Sequence, residues 1–90
     1  MNKIYVLINV QSGTAKKVMR EITKIKNVVE TSIVSGRYDV LAKLEGKSLA
    51  ELTDVIINRI HKIDGVERTE SLIALVLDIT GEEGPPIRTI

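Results

Sequence analysis

Two stretches of the chain repeat one another and decide its fold: Thr14–Thr31, TAKKVMREITKIKNVVET, aligns with Leu52–Thr69, LTDVIINRIHKIDGVERT. In each stretch apolar residues recur at helical spacing, and a short turn then leads into a β-branched run. The equivalent apolar positions are Val18, Met19 and Ile22 in the first stretch and Ile56, Ile57 and Ile60 in the second. Each half is therefore predicted to form the same helix–turn–strand unit.

Each repeat predicts one amphipathic helix with a single apolar stripe. The first stripe comprises Ala15, Val18, Met19, Ile22 and Ile25. The second helix is predicted to begin after Ser48, because Ser48 and Glu51 have the spacing of a capping box, and to end at Asp64-Gly65. Its stripe comprises Leu49, Leu52, Ile56, Ile60 and Ile63.

Short apolar or β-branched runs predict four strands. These runs are Ile4–Val10, Val28–Val34, Tyr38–Leu44 and Leu72–Leu77. The order βαββαβ, with two interleaved right-handed crossovers, gives a four-stranded antiparallel sheet with both helices on one face. The predicted fold class is α+β, a ferredoxin-like sandwich. One domain is predicted over residues 1–78, and the Gly- and Pro-rich segment 79–90 is predicted to be an extended tail.

The outer face of this sheet is more apolar than a monomer requires. In the first strand Tyr5 and Leu7 point away from the alternating isoleucine and valine side, and Leu72–Leu77 is apolar on both sides. At about 25 cal/mol per Å² of apolar surface, leaving several such side chains in water would forgo several kcal/mol. We therefore expect this face to pack against another copy of the chain, as a homodimer.

Composition argues against several classes of function. The 90-residue chain has a net charge of +1 and no cysteine, so it has no disulfide, thiol nucleophile or cysteine-based metal site. Its one histidine cannot hold a zinc ion alone, and its interspersed charges lack the basic stripe of a nucleic-acid binder. No apolar run reaches the roughly 18 residues of a membrane span. The sequence is interpreted as a cytoplasmic protein without a metal or cofactor and without direct nucleic-acid binding.

The sequence predicts no catalytic residues. Acidic residues are scattered over helices, turns and strands, and they form no Ser/His/Asp set or phosphate-binding glycine loop. His61 is interpreted as a partly exposed residue near a helix C-terminus, where its charge suits the helix dipole. The chain is therefore predicted not to be an enzyme.

The turn Ser35–Asp39, SGRYD, offers a candidate ligand site. Gly36 permits a positive φ and leaves peptide N–H groups uncovered, Arg37 is a cation, Tyr38 is an aromatic wall and Asp39 is a carboxylate. This set suits the carboxylate and ammonium groups of a zwitterion. The same residues would also make an ordinary tight turn, and the physics of the turn alone favours that simpler interpretation.

The hairpin GRYDVLAKL, with the later segment IHKIDGVERTESLIALVL, resembles the effector-binding (RAM) domain of the Lrp/AsnC feast/famine transcription regulators. The resemblance spans Ile4–Leu77. The matching positions in the hairpin turn, the post-helix turn and the final strand are Gly36, Tyr38, Asp39, Gly65, Val66, Thr69 and Ser71.

This resemblance implies an amino-acid effector, dimers packed sheet to sheet, and octameric rings with ligand held between dimers. The implied ligand site combines the turn with final-strand hydroxyls of a neighbouring dimer, namely Ser35, Gly36, Arg37, Tyr38 and Asp39 with Thr69 and Ser71. Full-length relatives also carry a winged helix-turn-helix, whereas this sequence resembles a stand-alone effector domain. Regulation is therefore expected to act through mixed assemblies with full-length Lrp/AsnC relatives, without direct DNA contact.

Two other functions remain open for this fold. One is an ACT-like regulatory subunit of an amino-acid biosynthetic enzyme. A pull-down would distinguish this function, because the protein would then retain an enzyme and not a transcription regulator. The other is a small dimeric ferredoxin-like enzyme, which would need a histidine or paired acids on the inner sheet face, where the predicted sheet has neither.

Overall fold

A computed structural model describes residues 1–75 of the chain, which form a four-stranded sheet and two helices. The strands are β1 (Asn2–Val10), β2 (Val28–Ile33), β3 (Val40–Gly46) and β4 (Val66–Ala74). The helices are α1 (Ala15–Thr23) and α2 (Leu49–Val55), and α2 continues as a π-helical segment, Ile56–Ile60. The predicted tail, residues 79–90, and the end of the predicted fourth strand, Val76 and Leu77, lie outside the described residues.

The sheet has the strand order β2-β3-β1-β4, and every neighbouring pair is antiparallel. The central pair is held in register from Asn2 opposite Gly46 to Ile8 opposite Val40. The predicted βαββαβ order and ferredoxin-like architecture are confirmed. Within residues 1–75, neither helix is both long and apolar enough to pass through a bilayer.

The core lies between the helices and one face of the sheet, because alternate residues of the central strands point to that face. The buried strand residues are Ile4, Val6, Ile8, Val10, Val40, Ala42 and Leu44. The buried helix residues are Val18, Ile22, Leu52, Val55, Ile56 and Ile60, and Ile25 follows α1. The repeated apolar positions of the two halves thus meet in one cluster.

Local hydrogen bonds fix both ends of the second helical unit. The Ser48 hydroxyl accepts from the Glu51 peptide N–H at 3.1 Å, and the Glu51 carboxylate accepts from the Lys47 N–H at 3.1 Å, so the predicted cap is confirmed. At the other end Gly65 has a φ of 105°, which favours glycine. Its carbonyl accepts from the Gln11 N–H at 2.8 Å and joins this turn to the end of β1.

Some predicted strand bounds and one predicted core position differ from the structure. The fourth strand begins at Val66 instead of Leu72, because its polar first half pairs with β1 as an edge strand, and edge strands tolerate exposed polar residues. The third strand begins at Val40, since Tyr38 belongs to the preceding turn. Leu49 of the predicted stripe is 40% exposed because it lies in the first turn of α2, away from the core.

Because Ile22 is fully buried and Ile57 is 50% exposed, the same substitution should have different costs at the two sites. We expect Ile22→Val to lower the free energy of unfolding by about 1 kcal/mol, from lost burial and a small cavity. Ile57→Val is the matched control and should change it by less than about 0.5 kcal/mol. Urea unfolding of both variants measures the difference, and equal losses would contradict the described core.

Candidate ligand-binding site

The predicted ligand turn is a loop, residues 34–39, that connects β2 to β3 at one end of the sheet. The Val34 N–H donates to the Asp39 carbonyl at 2.9 Å and closes the loop. The Asp39 N–H in turn donates to the Ile8 carbonyl at 2.9 Å, which attaches the loop to β1. Gly36 has a φ of 114°, so this position requires glycine, as predicted.

Two further hydrogen bonds fix the loop against the last residues of β1. The Asp39 carboxylate accepts from the Val10 N–H at 2.9 Å, and the Asn9 side-chain amide donates to the Arg37 carbonyl at 2.8 Å. The β1–β4 register shifts at this point: Asn9 pairs with Arg68 and Val10 with Val66, which leaves Glu67 as the extra residue of a bulge. Asp39 thus satisfies a backbone donor beside the bulge.

Asn9 is a site residue that the sequence analysis missed. Its side-chain oxygen is buried and has no hydrogen-bond partner within residues 1–75. An unpaired buried acceptor costs about 1–3 kcal/mol, so the bond from its amide nitrogen to Arg37 is what keeps this orientation. The only signal in the sequence was one amide near the end of an otherwise apolar run, IYVLINV.

The exposed part of the loop offers hydrogen-bond donors. Ser35, Gly36 and Arg37 are exposed, and Tyr38 and Asp39 are partly buried. Within residues 1–75 the peptide N–H groups of Gly36 and Arg37 have no hydrogen-bond partner. Successive uncovered N–H groups beside a guanidinium can bind an anion such as a carboxylate.

The predicted hydroxyls lie on β4, on the same sheet face as the helices. Thr69 pairs with Ile8 and Ser71 with Val6, both of which point into the core. Ser71 is exposed, whereas the Thr69 hydroxyl is 2.7 Å from the imidazole Nε2 of His61. His61 follows the helical segment, as expected, but its contact with a predicted ligand residue was missed. The internal repeat was the sequence signal for this contact, since His61 aligns with Thr23 and Thr69 aligns with Thr31.

Two clefts of about 430 Å³ each flank the Glu67–Arg68 bulge. One is lined by Asn9, Val10 and Asp39 as well as the bulge residues, and the other by His61, Val66 and Thr69 with the same two residues. Neither cleft is lined by both Asp39 and Thr69. Both of these residues flank Ile8, on opposite sides of β1, so two strand spacings, about 10 Å, separate their backbones.

The sheet face opposite the helices carries a patch of apolar side chains. Tyr5 pairs with Leu72, and Leu7 pairs with Leu41. Leu72 is 51% exposed, and the other three are partly exposed. Lys43 lies beside this patch, with its Nζ 5.9 Å from the Tyr5 ring centre and 3.7 Å from the Glu45 carboxylate. The predicted apolar outer face is confirmed over the described residues.

Comparison with known proteins identifies the family. The family model of the Lrp/AsnC ligand binding domain matches residues 3–77. The chain belongs to the Lrp/AsnC family. An uncharacterized HTH-type transcriptional regulator of Pyrococcus furiosus is 33% identical over 63 residues, which cover 70% of this chain and 42% of that protein. The Lrp/AsnC chain thus spans less than half the length of this relative.

Solved structures agree with this assignment. E. coli AsnC superposes with a TM-score of 0.79 at 27% identity, over 99% of this chain and 56% of AsnC. A transcriptional regulator from Neisseria meningitidis, solved as a complex with L-Met, superposes with a TM-score of 0.73 over 93% of this chain and 56% of that one. At 14% identity the Neisseria protein supports the fold alone.

The Asp39 carboxylate can be tested as the group that holds the loop. Asp39→Ala leaves the Val10 N–H, which is partly buried, without its acceptor, and we expect it to lower the free energy of unfolding by about 1–2 kcal/mol. Asp39→Asn keeps an oxygen acceptor and should lose less than half as much. Urea unfolding compares the two variants, and equal losses would mean that the charge of Asp39, and not its acceptor, stabilises the loop.

Proposed function

We propose that this Lrp/AsnC domain senses a free amino acid in the cytoplasm and regulates transcription indirectly, because ligand binding changes how copies of it assemble. In this proposal it is a binding module and not an enzyme. The observation that carries the proposal is the loop 34–39, which is fixed to β1 by Asn9 and Asp39 while the Gly36 and Arg37 N–H groups remain open. A rigid pair of donors can hold a carboxylate without a large entropic cost.

The ligand in this proposal is zwitterionic. Its carboxylate binds the Gly36 and Arg37 N–H groups, its ammonium faces the free oxygen of Asp39, and Tyr38 forms a wall. Amino acids are the first class to screen, because they carry the carboxylate and ammonium groups that these residues suit.

The site is proposed to be completed by a second dimer. Loop 34–39 and the Thr69 and Ser71 hydroxyls belong to one chain, but β1 lies between them and the clefts of Asp39 and Thr69 are separate. A small ligand that touches both sets therefore needs the hydroxyls of another chain. Such a ligand binds only the assembled form and shifts assembly by its difference in affinity for the two states.

The dimer itself is proposed to form through the apolar patch of Tyr5, Leu7, Leu41 and Leu72. Burying this patch against a second copy removes apolar surface from water, which stabilises association in proportion to the area buried. Dimers are proposed to assemble further into rings, with an octamer as the expected size. In mixed rings with full-length Lrp/AsnC regulators, ligand binding to this domain would alter DNA binding by those regulators.

Calorimetric titration with each of the twenty amino acids, together with gel filtration, tests the sensing step. We expect at least one amino acid to bind and to increase the assembled fraction. Gly36→Ala should abolish binding, because a φ of 114° strains any side chain and displaces the two N–H groups.

Gly13→Ala is the matched control for this variant. Gly13 also has a positive φ, 83°, and open space around it, but it lies outside the loop. The Gly13→Ala variant should be less stable than the wild type but should keep its affinity for the amino acid. The sensing proposal is wrong if none of the twenty amino acids binds or changes the size of the protein.

A charge placed in the apolar patch tests the dimer. We expect Leu41→Lys to dissociate the dimer, because a lysine there would be desolvated at the interface without a partner. Ile57→Lys, at a half-exposed helix position, is the control and should leave the dimer intact. Analytical ultracentrifugation without ligand measures both variants, and a wild-type protein that sediments as a single chain would refute the proposed interface.

A further inference from the structure

The two halves of the chain make the same hydrogen bond from helix end to strand. In the first half the Thr23 and Thr31 hydroxyl oxygens are 3.0 Å apart. In the second half the equivalent residues are His61 and Thr69, with 2.7 Å between Nε2 and Oγ1. A side chain at the end of each helical unit thus bonds to the strand that follows it. This contact between helix and strand is a structural role that both hydrogen bonds share.

The two hydrogen bonds differ in which side chain can be the donor. The Thr23 hydroxyl donates its one hydrogen to the Met19 carbonyl at 2.7 Å, so the Thr31 hydroxyl must be the donor in the first pair. The imidazole Nε2 of His61 can act as an acceptor or as a donor, depending on the tautomer and the protonation of the ring. The direction of the second bond, and therefore of the Thr69 hydrogen, depends on the state of His61.

The second bond also opens onto a cleft. His61 and Thr69 both line the 430 Å³ cleft beside the Glu67–Arg68 bulge, so a ligand there meets the Thr69 hydroxyl that His61 holds. The π-helical segment places His61 at this point: its N–H donates to the Ile56 carbonyl at 2.9 Å, the i to i−5 bond of a π-helix. Such wide turns occur frequently at functional sites.

We propose that His61 is a positioning residue of the ligand site, which sets whether the Thr69 hydroxyl accepts from or donates to the bound amino acid. This inference rests on the proposed function. In the neutral tautomer that carries its proton on Nδ1, Nε2 accepts the Thr69 hydrogen, so the hydroxyl presents only lone pairs and suits an ammonium group. When His61 is protonated, Nε2–H donates to Thr69, and the freed hydroxyl hydrogen suits a carboxylate.

The charged neighbours of His61 are few. Glu67 and Arg68 of β4 line the same cleft, and Arg59 and Lys62 flank His61 along its own segment. Within residues 1–75 none of them forms an ion pair with His61. Of the residues that line the cleft, only His61 is of a type whose charge changes between about pH 5 and 8. The proton that changes the Thr69 hydroxyl is therefore the one on His61.

The first test needs no ligand. The chain has one histidine, so the imidazole C–H signals in a proton NMR spectrum belong to His61 alone. We expect Thr69→Val to change the chemical shifts of these signals at a fixed pH, because the bonded hydroxyl is removed. Thr31→Val removes the equivalent bond of the first half and should leave the signals unchanged. Identical imidazole signals for wild type and Thr69→Val would overturn the proposal.

The second test uses the amino acid that binds most tightly in the calorimetric screen of the twenty. We expect its affinity for the wild type to change by about ten-fold or more between pH 8 and pH 5.5, because the Thr69 hydroxyl makes a charge-assisted hydrogen bond to the ligand in only one of its two orientations. His61→Gln keeps a side-chain amide for Thr69 but does not titrate, and its affinity should be the same at both pH values.

Two results separate this inference from the function on which it rests. If an amino acid binds but wild type and His61→Gln share one pH profile, the role of His61 is refuted and the proposed function stands. If none of the twenty binds at either pH, the proposed function fails and the ligand role of His61 fails with it, whatever the NMR spectra show.

Discussion

The alternation of side chains along β1 and β3 is the constraint on which the rest of this domain depends. Ile4, Val6 and Ile8 face the helices, and Tyr5 and Leu7 face the other way. A slip of one residue in this register would exchange the two faces and expose the isoleucine and valine side. The core, the apolar outer patch and the position of loop 34–39 at the end of β1 therefore all follow from one pairing.

The end of β1 joins the two elements that carry the proposed ligand residues. Asn9 and Asp39 attach loop 34–39 to this strand, and the Glu67 bulge lies directly across from the same residues on β4. The loop and the start of β4 thus share one support, although they open into different clefts. A displacement of Asn9 or Val10 would move both loop 34–39 and the start of β4, because side-chain hydrogen bonds link these residues to the loop and strand pairing links them to β4.

Features encoded in short segments could be predicted from the sequence. The repeat and the strand alternation predicted the element order, and the Ser48–Glu51 spacing predicted the helix start, because each depends on residues a few positions apart. The start of β4 was missed because polar residues at an edge are stabilised by pairing with β1, which no local pattern records. The hydrogen bonds of Asn9 and His61 were missed for a similar reason: their partners, Arg37 and Thr69, come close only in the folded chain. The placement of Thr69 and Ser71 in the ligand site came from the family resemblance and not from physical reasoning about the residues.

The π-helical segment also has a consequence for how the second helical unit fits between its two attachments. One end is held by the Ser48 cap and the other by the contact of His61 with Thr69. A π-helix takes up more residues per turn than an α-helix, so Ile56–Ile60 accommodates surplus chain between two fixed points. If the same residues wound as an ordinary α-helix, everything beyond them would rotate by roughly 100° relative to the cap. The segment therefore absorbs the extra residue between the two attachments. It is the place in this helix where deleting one amino acid would disturb the flanking structure least.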